Sequence, residues 1–175
     1  MVLKSESAIT LDRLDRKLLN ELQKDSGRSN KDLAALVGAS QASCLRRIRR
    51  LKESGIIASE IAIIDPVKTG RSVMAVTTVK LKNHNLKDRD ELVRLIHVMP
   101  WITQCYMLTG GEDMLIIANL KSLEDFEEVL ARRLSDCAIV ANITTSIAYK
   151  TIKFAPFIPF EDESWDTLPI QAATG

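Results

Sequence analysis

Ser40-Gln41-Ala42-Ser43-Cys44-Leu45-Arg46-Arg47-Ile48-Arg49-Arg50-Leu51-Lys52 is the stretch on which the reading of this chain turns. Serine is a strong N-cap residue, so Ser40 opens a helix that runs to Ser54, with Gly55 closing it. On a wheel of about 100° per residue with Leu45 at zero, Cys44, Ile48 and Leu51 fall near 260°, 300° and 240° and form one apolar arc with Leu45. Arg49, Arg46, Arg50, Ser43 and Arg47 occupy the opposite arc, from about 40° to about 200°. Between Gln41 and Lys52 there are five positive charges and no negative one. A merely solvated helix interleaves acids for i to i+4 pairing.

Two further helices precede this one. Asp12 is an N-cap with Asp15 at N3, and Leu14, Leu18, Leu19 and Leu22 share one face of a helix that ends near Ser26-Gly27. Ser29 with Asp32 opens a second helix of about two turns, striped by Leu33, Leu36 and Val37 and closed by Gly38. Three helices, the last two joined by a short turn containing glycine, read as a helix-turn-helix.

Downstream the pattern changes to strands and longer amphipathic helices. Ile56 to Ile64 is a β-branched run that predicts a strand linking two modules, and Asp65-Pro66 with Gly70 predicts a turn. Val73 to Leu81 reads as a strand. Asp88 to Val98 reads as a helix with Leu92, Leu95 and Ile96 on one side. Ile102 to Thr109 is a strand, Gly110 to Asp113 a turn, and Met114 to Leu120 a strand. Ser122 with Asp125 caps a helix bearing Phe126, Val129, Leu130 and Leu134, and Val140 to Ile152 closes as a strand. The order β-α-β-β-α-β is the ferredoxin-like motif. The fold class is therefore α+β: a helix-turn-helix (winged-helix-like) domain over residues 10–58, a linker strand and turn over 59–70, a ferredoxin-like domain over 71–153, and an extension over 154–175. Both helices of such a domain cover one side of its sheet. The strands here are apolar on both faces, so the bare side predicts pairing with a second copy.

Charge follows the same division. The chain has 175 residues, 24 Lys and Arg against 23 Asp and Glu, and a mean hydropathy near zero, which describes an ordinary soluble protein with a buried core. The net charge of +1 hides an asymmetry: residues 1–60 hold 12 basic and 8 acidic side chains, a balance of +4, and the remainder holds 12 and 15, a balance of −3. A basic module is joined to an acidic one.

Double-stranded DNA is the partner that asks for an acid-free arginine face. A recognition helix presents its N-terminal residues to base edges in the major groove, which makes Gln41, Ala42, Ser43 and Arg46, just after the cap Ser40, the base-reading candidates. Arg47, Arg49 and Arg50 lie at the flanks, where phosphates run.

At this point several motifs in order become specific. Leu11-Asp12-Arg13-Leu14-Asp15, Cys44-Leu45-Arg46-Arg47-Ile48-Arg49-Arg50-Leu51, Gly55-Ile56-Ile57 and Thr109-Gly110-Gly111-Glu112-Asp113 make residues 10–152 resemble the Lrp/AsnC family of feast/famine transcriptional regulators. The resemblance implies a DNA-binding transcriptional regulator of amino-acid metabolism. It also implies a C-terminal domain that binds an amino acid or similar small effector and forms homodimers, assembling further into rings such as octamers. In such proteins the effector sits between dimers near a T-G-x-x-D turn, here Thr109, Gly110 and Asp113, with Gly111, Glu112 and, on the last strand, Ser146 beside it. Paired glycines let backbone N–H groups approach a carboxylate, and an Asp can hold an α-ammonium. The chain departs from many relatives at Gln41-Ala42-Ser43, at Met114 and at Thr145-Ser146, so neither base preference nor effector transfers directly.

Other classes fit less well. Sirohaem decarboxylases resemble the same architecture, but they need groups to hold and protonate a tetrapyrrole. His84 and His97 read as surface or packing residues, and a basic third helix has no purpose in an enzyme. An effector-independent architectural DNA binder remains the other alternative. Cys44, Cys105 and Cys137 match neither a disulfide framework nor a zinc site, and no nucleotide, serine-hydrolase or zinc-protease motif appears. We expect no cofactor and no metal. The longest apolar run, about five residues at Met114 to Ala118, is far short of the roughly 18 a membrane span needs. Residues 1–10 lack a signal core. The expected location is cytoplasmic, with no membrane partner.

Overall fold

The computed structural model describes residues 10–83 and 85–160. His84, the acids Glu161, Asp162 and Glu163, and Pro169 lie outside the described residues. The chain divides into two compact units: one takes in the sequence up to Ala62 together with Ala155 onward, the other Ile63–Phe154.

In the first unit each helix begins where a side chain satisfies the free N–H groups of its opening turn. Helix α1 spans Arg13–Lys24 behind a reciprocal cap: Asp12 accepts from the Asp15 N–H at 2.9 Å, and Asp15 accepts from the Asp12 N–H at 3.2 Å. Helix α2, Asn30–Val37, starts at Ser29 and stops at Gly38, whose φ of +71° is the left-handed conformation glycine takes without steric penalty. Helix α3, Gln41–Glu53, starts at Ser40, whose hydroxyl accepts from the Ser43 N–H. Leu18, Leu33, Ala34, Val37, Cys44 and Ile48 form the core, with Leu14, Leu22 and Ile57 packed against it.

Two leucines assigned to the apolar stripes are exposed instead: Leu36 and Leu45 are 54% and 48% accessible. Three short helices enclose a core narrower than a full helix face, so the outermost leucine of each stripe has nothing to pack on. The predicted strand at Ile56 to Ile64 does not form. Ile57 still bonds Leu51 and joins the core, but Ile61, Ile63 and Ile64 stand 60–73% exposed with no ladder partner. Extended backbone becomes a strand only beside another edge, and none is offered to it within the described chain.

The second unit is a four-stranded antiparallel sheet with helices on one face. Its elements are β1 (Val73–Leu81), α4 (Leu86–His97), β2 (Ile102–Met107), β3 (Met114–Leu120), β4 (Val140–Ala148) and, between β3 and β4, a helix in three parts. Those parts are α-helical Leu123–Phe126, π-helical Glu127–Ala131 and α-helical Arg132–Ser135, together called α5. The sheet order is β2-β3-β1-β4, the ferredoxin-like order. Strand β3 alternates strictly between buried and half-buried positions. Met114, Ile116, Ala118 and Leu120 meet Ala75, Val79 and Leu81 of β1 and, from the helices, Leu92, Ile96, Leu130 and Leu134. The predicted strands ending at Thr109 and Ile152 stop earlier, at Met107 and Ala148.

Register places the other side chains on the side without helices. Met74, Val76 and Thr78 of β1 pair with Asn119, Ile117 and Leu115 of β3, and Tyr106 of β2 pairs with Leu115. Its middle, Met74, Val76, Leu115 and Ile117, is half-buried and apolar, its β4 edge with Asn142, Thr144 and Ser146 is exposed and polar, and neither helix covers it.

Candidate functional site

Helix α3 carries the cationic surface, and its arginines fall into two groups. Arg47 donates to Asp15 at 2.8 Å and to Asp12 at 2.6 Å, and Arg50 also pairs with Asp15. The Asp15 side chain is fully buried, whereas that of Arg47 keeps 22% and that of Arg50 47% of its accessibility. These arginines tie the cap of α1 to the middle of α3. Hydrogen bonds from the Asp15 N–H and then from Arg47 hold the Asp12 carboxyl below its ordinary value. The bonds to Asp15 and Asp12 raise Arg47. Arg46 and Arg49 are exposed, and neither makes an ion pair among the described residues.

Around those two, Gln41 and Ala42 are exposed on the first turn, Ser43 is half-buried, and the Ser40 hydroxyl is occupied by its cap bond. Ala42, Arg46 and Arg49 lie within about 60° of one another on the helix, on the side away from the core. The clamp on Arg47 and Arg50 was not visible in local spacing, because the partners are 32 and 35 residues apart in sequence. Its only trace was a pair of acids at one helix start and an acid-free run on another helix.

In the second unit the turn between β2 and β3 is pinned to the middle of the sheet. The Asp113 N–H donates to Val79 O and the Leu108 N–H to Asp113 O, both at 2.9 Å. Asp113 Oδ2 accepts from the Leu81 N–H at 2.9 Å, and the residue is buried. Its carboxylate therefore serves the turn's own anchorage. Thr109, Gly110 and Gly111 are exposed, with Gly110 at φ +136°. Glu112 is half-buried, and its Oε2 is a buried acceptor without a hydrogen-bond partner among the described residues. Ser146 is exposed but is not brought to this turn. It pairs with Val76, roughly 10 Å along β1 from Val79, on the side of β1 away from β3.

Among the described residues no group of His, Cys, Asp or Glu could hold a metal ion, and no helix is long and apolar enough to cross a membrane. His97 is exposed at the end of α4, and Cys44, Cys105 and Cys137 are free thiols.

Two family models match the two units in order: winged helix-turn-helix DNA-binding over residues 11–58, and the Lrp/AsnC ligand binding domain over residues 74–156. The transcriptional regulator AzlB of Bacillus subtilis is 30% identical over 154 residues, 88% of this chain and 98% of that protein. The chain belongs to the Lrp/AsnC family. Another Lrp/AsnC-type relative, the DNA-binding transcriptional activator DecR of Escherichia coli, is 28% identical over 151 residues, 86% of this chain and 99% of that one. Among solved structures, the L-Met complex of a Neisseria meningitidis transcriptional regulator superposes with a TM-score of 0.82 at 27% identity, covering 86% of this chain and 97% of that one. An AsnC family regulator from Agrobacterium tumefaciens gives 0.80 at 28%, covering 85% and 97%. This Lrp/AsnC chain is a DNA-binding transcriptional regulator with a ligand-binding second unit.

Proposed function

We propose that the regulator reads its operator with the open side of α3, using Gln41, Ala42, Ser43 and Arg46 at base edges and Arg49 at the phosphate backbone. Arg47 and Arg50 hold α3 against α1, and Arg50 reaches phosphate with its exposed part. The observation that carries this reading is the split among four arginines on one helix. Two are paired with the carboxylates of Asp12 and Asp15, and two have no ion pair among the described residues and stand on the side facing water. Unpaired cations on a rigid helix attract phosphate without first breaking an internal pair. Duplexes enriched from a random library by the full chain would be retested by mobility shift. Arg46→Ala is expected to relax the enriched sequence, Arg49→Ala to weaken all duplexes alike and lower the log-log salt slope by about 0.9. Enrichment of no sequence would favour an architectural binder instead.

The ligand of the second unit is an amino acid or a molecule with the same paired charges. The exposed backbone at Gly110-Gly111 receives its carboxylate. Glu112, whose Oε2 has no hydrogen-bond partner among the described residues, receives its ammonium. Asp113 is a positioning residue, since its carboxylate anchors the turn to β1. The site is completed at an interface between copies. The regulator is a homodimer through the helix-free face of the sheet, and dimers assemble further. Occupancy shifts DNA affinity through the differential affinity of the ligand for two assemblies. A thermal-shift screen of the twenty amino acids tests this: at 100 times Kd a ligand adds about 2.7 kcal/mol, a shift of several degrees. Glu112→Gln should abolish the shift. No response to any amino acid would overturn the assignment.

This reading makes the chain a regulator of amino-acid metabolism rather than an enzyme. The carboxylates at Asp12 and Asp15 hold arginines and helix N–H groups, and the exposed His97 has no hydrogen-bond partner among the described residues.

A further inference from the structure

The segment after β4 does not end with the sheet. Residues 155–160 belong to the unit formed by α1, α2 and α3, and four hydrogen bonds seat them on α1. The Phe160 N–H donates to Asn20 Oδ1 at 3.0 Å, and Asn20 Nδ2 donates back to the Phe160 carbonyl at 3.0 Å. The Ile158 N–H donates to Gln23 Oε1 at 2.7 Å, and Gln23 Nε2 donates to the Ile158 carbonyl at 2.9 Å.

The pattern is that of backbone recognition. A primary amide carries a donor and an acceptor side by side, so it closes a ring with the N–H and C=O of one residue. Asn20 and Gln23 are three apart on α1 and share a face. Ile158 and Phe160 are two apart, the spacing at which extended chain turns its polar groups to the same side. Pro156 and Pro159 preset the segment: each fixes its own φ and pushes the residue before it, Ala155 or Ile158, into extended backbone. Little freedom remains to be lost on docking. Ile158 itself stays 71% exposed, so its backbone rather than its side chain makes the contact. The match to the ligand-binding domain stops at residue 156, so Ile158 and Phe160 lie beyond it, whereas Asn20 and Gln23 lie within the helix-turn-helix match over residues 11–58.

We propose that Asn20 and Gln23 form a peptide-backbone seat whose ligand is the chain's own Ile158–Phe160. The seated segment is a releasable latch that gives the first unit a second attachment, beside the chain connection at Ala62–Ile63. The role of the latch rests on the reading of that unit as the DNA-binding one. Closed, it limits where α3 can be presented. Open, it leaves α3 on a single tether. All four bonds are between neutral groups, so the latch holds at salt concentrations that strip α3 from phosphate.

Hydrogen exchange resolved to single amides tests the seat in the full chain without DNA. Alanine is the best helix former, so Asn20→Ala and Gln23→Ala leave α1 intact. Gln23→Ala should speed exchange at Ile158, and Asn20→Ala at Phe160, each by about tenfold or more, with the amides of β1 and β3 unchanged. Adding 1 M salt, about a 3 Å screening length, should not change the protection. Exchange of both amides at free-peptide rates in the unsubstituted chain, or protection indifferent to both substitutions, overturns the seat. The latch is tested with duplexes bearing two half-sites at varied separation. The double variant should lose the preference for one separation while keeping its affinity for a single half-site. An unchanged preference overturns the latch. A chain that binds no duplex sinks the DNA reading instead, and the exchange result still decides the seat.

Discussion

Asp15 is the residue around which the first unit is organised. A fully buried carboxylate needs partners for its oxygens, and it has the Asp12 N–H, Arg47 and Arg50. Removing it leaves Arg47 with Asp12 alone and takes from Arg50 its ion pair. We expect Asp15→Ala to cost about 2–3 kcal/mol, below the roughly 3–5 of a fully buried pair because Arg50 keeps contact with water. Urea denaturation measures this. Arg47→Ala should lose stability together with DNA binding, whereas Arg46→Ala should lose binding alone; circular dichroism beside mobility shift separates the two. Asp12 gives the pH dependence. Its folded pKa is depressed below the ordinary 3.8, so its contribution is complete above that value and is lost as pH falls through the folded one. The urea midpoint should therefore fall below about pH 4, and less steeply in Asp12→Asn. The sequence exposed Asp12 and Asp15 as a helix cap, because caps are local. It did not expose the arginine clamp, because that pairing exists only once two helices have packed.

Elements were legible wherever their signals were local and their partners lay in the same unit. Ser29, Ser40 and Ser122 each cap a helix through the N–H three residues on, and β1 and β3 keep the bounds their alternation predicts; Asn85 caps in the same way a helix whose start the pattern puts at Asp88. Ile56 to Ile64 has the composition of a strand and none of its pairing, because strand formation is a property of two segments. The turn after β2 lies between. Its glycines marked it in the sequence, but only the bond from Leu81 shows that Asp113 anchors it. Asp113→Asn keeps an acceptor for that N–H, and Asp113→Ala removes it. The alanine variant should be destabilised by about 1–3 kcal/mol, the cost of a buried unsatisfied donor, and the asparagine variant by less. Thermal melts of the two compare them directly.

For the whole molecule the decisive surface is the helix-free side of the sheet. Met74, Val76, Leu115 and Ile117 lie side by side there, with Tyr106 next to Leu115. An apolar strip of this kind on one sheet face marks an interaction site. A twofold axis through such a face pairs it with itself, so one surface serves both copies and a single substitution appears twice in the interface. Ile117 is the sensitive position: it lies on an inner strand and is flanked by Val76 on one side and Gln104 on the other. Its side chain points away from the helix-covered core, so Ile117→Lys adds a charge to the interface without entering the fold. Two lysines facing each other across the axis would have to lose water with no acid to meet them. We expect the variant to sediment as a folded monomer at micromolar concentration, while the unsubstituted chain sediments as a dimer or larger. On the proposed reading, in which a dimer holds two half-sites with two recognition helices, the same substitution should weaken binding to a paired operator far more than to a single half-site. A variant that stays dimeric with unchanged operator affinity would move the interface elsewhere on the molecule.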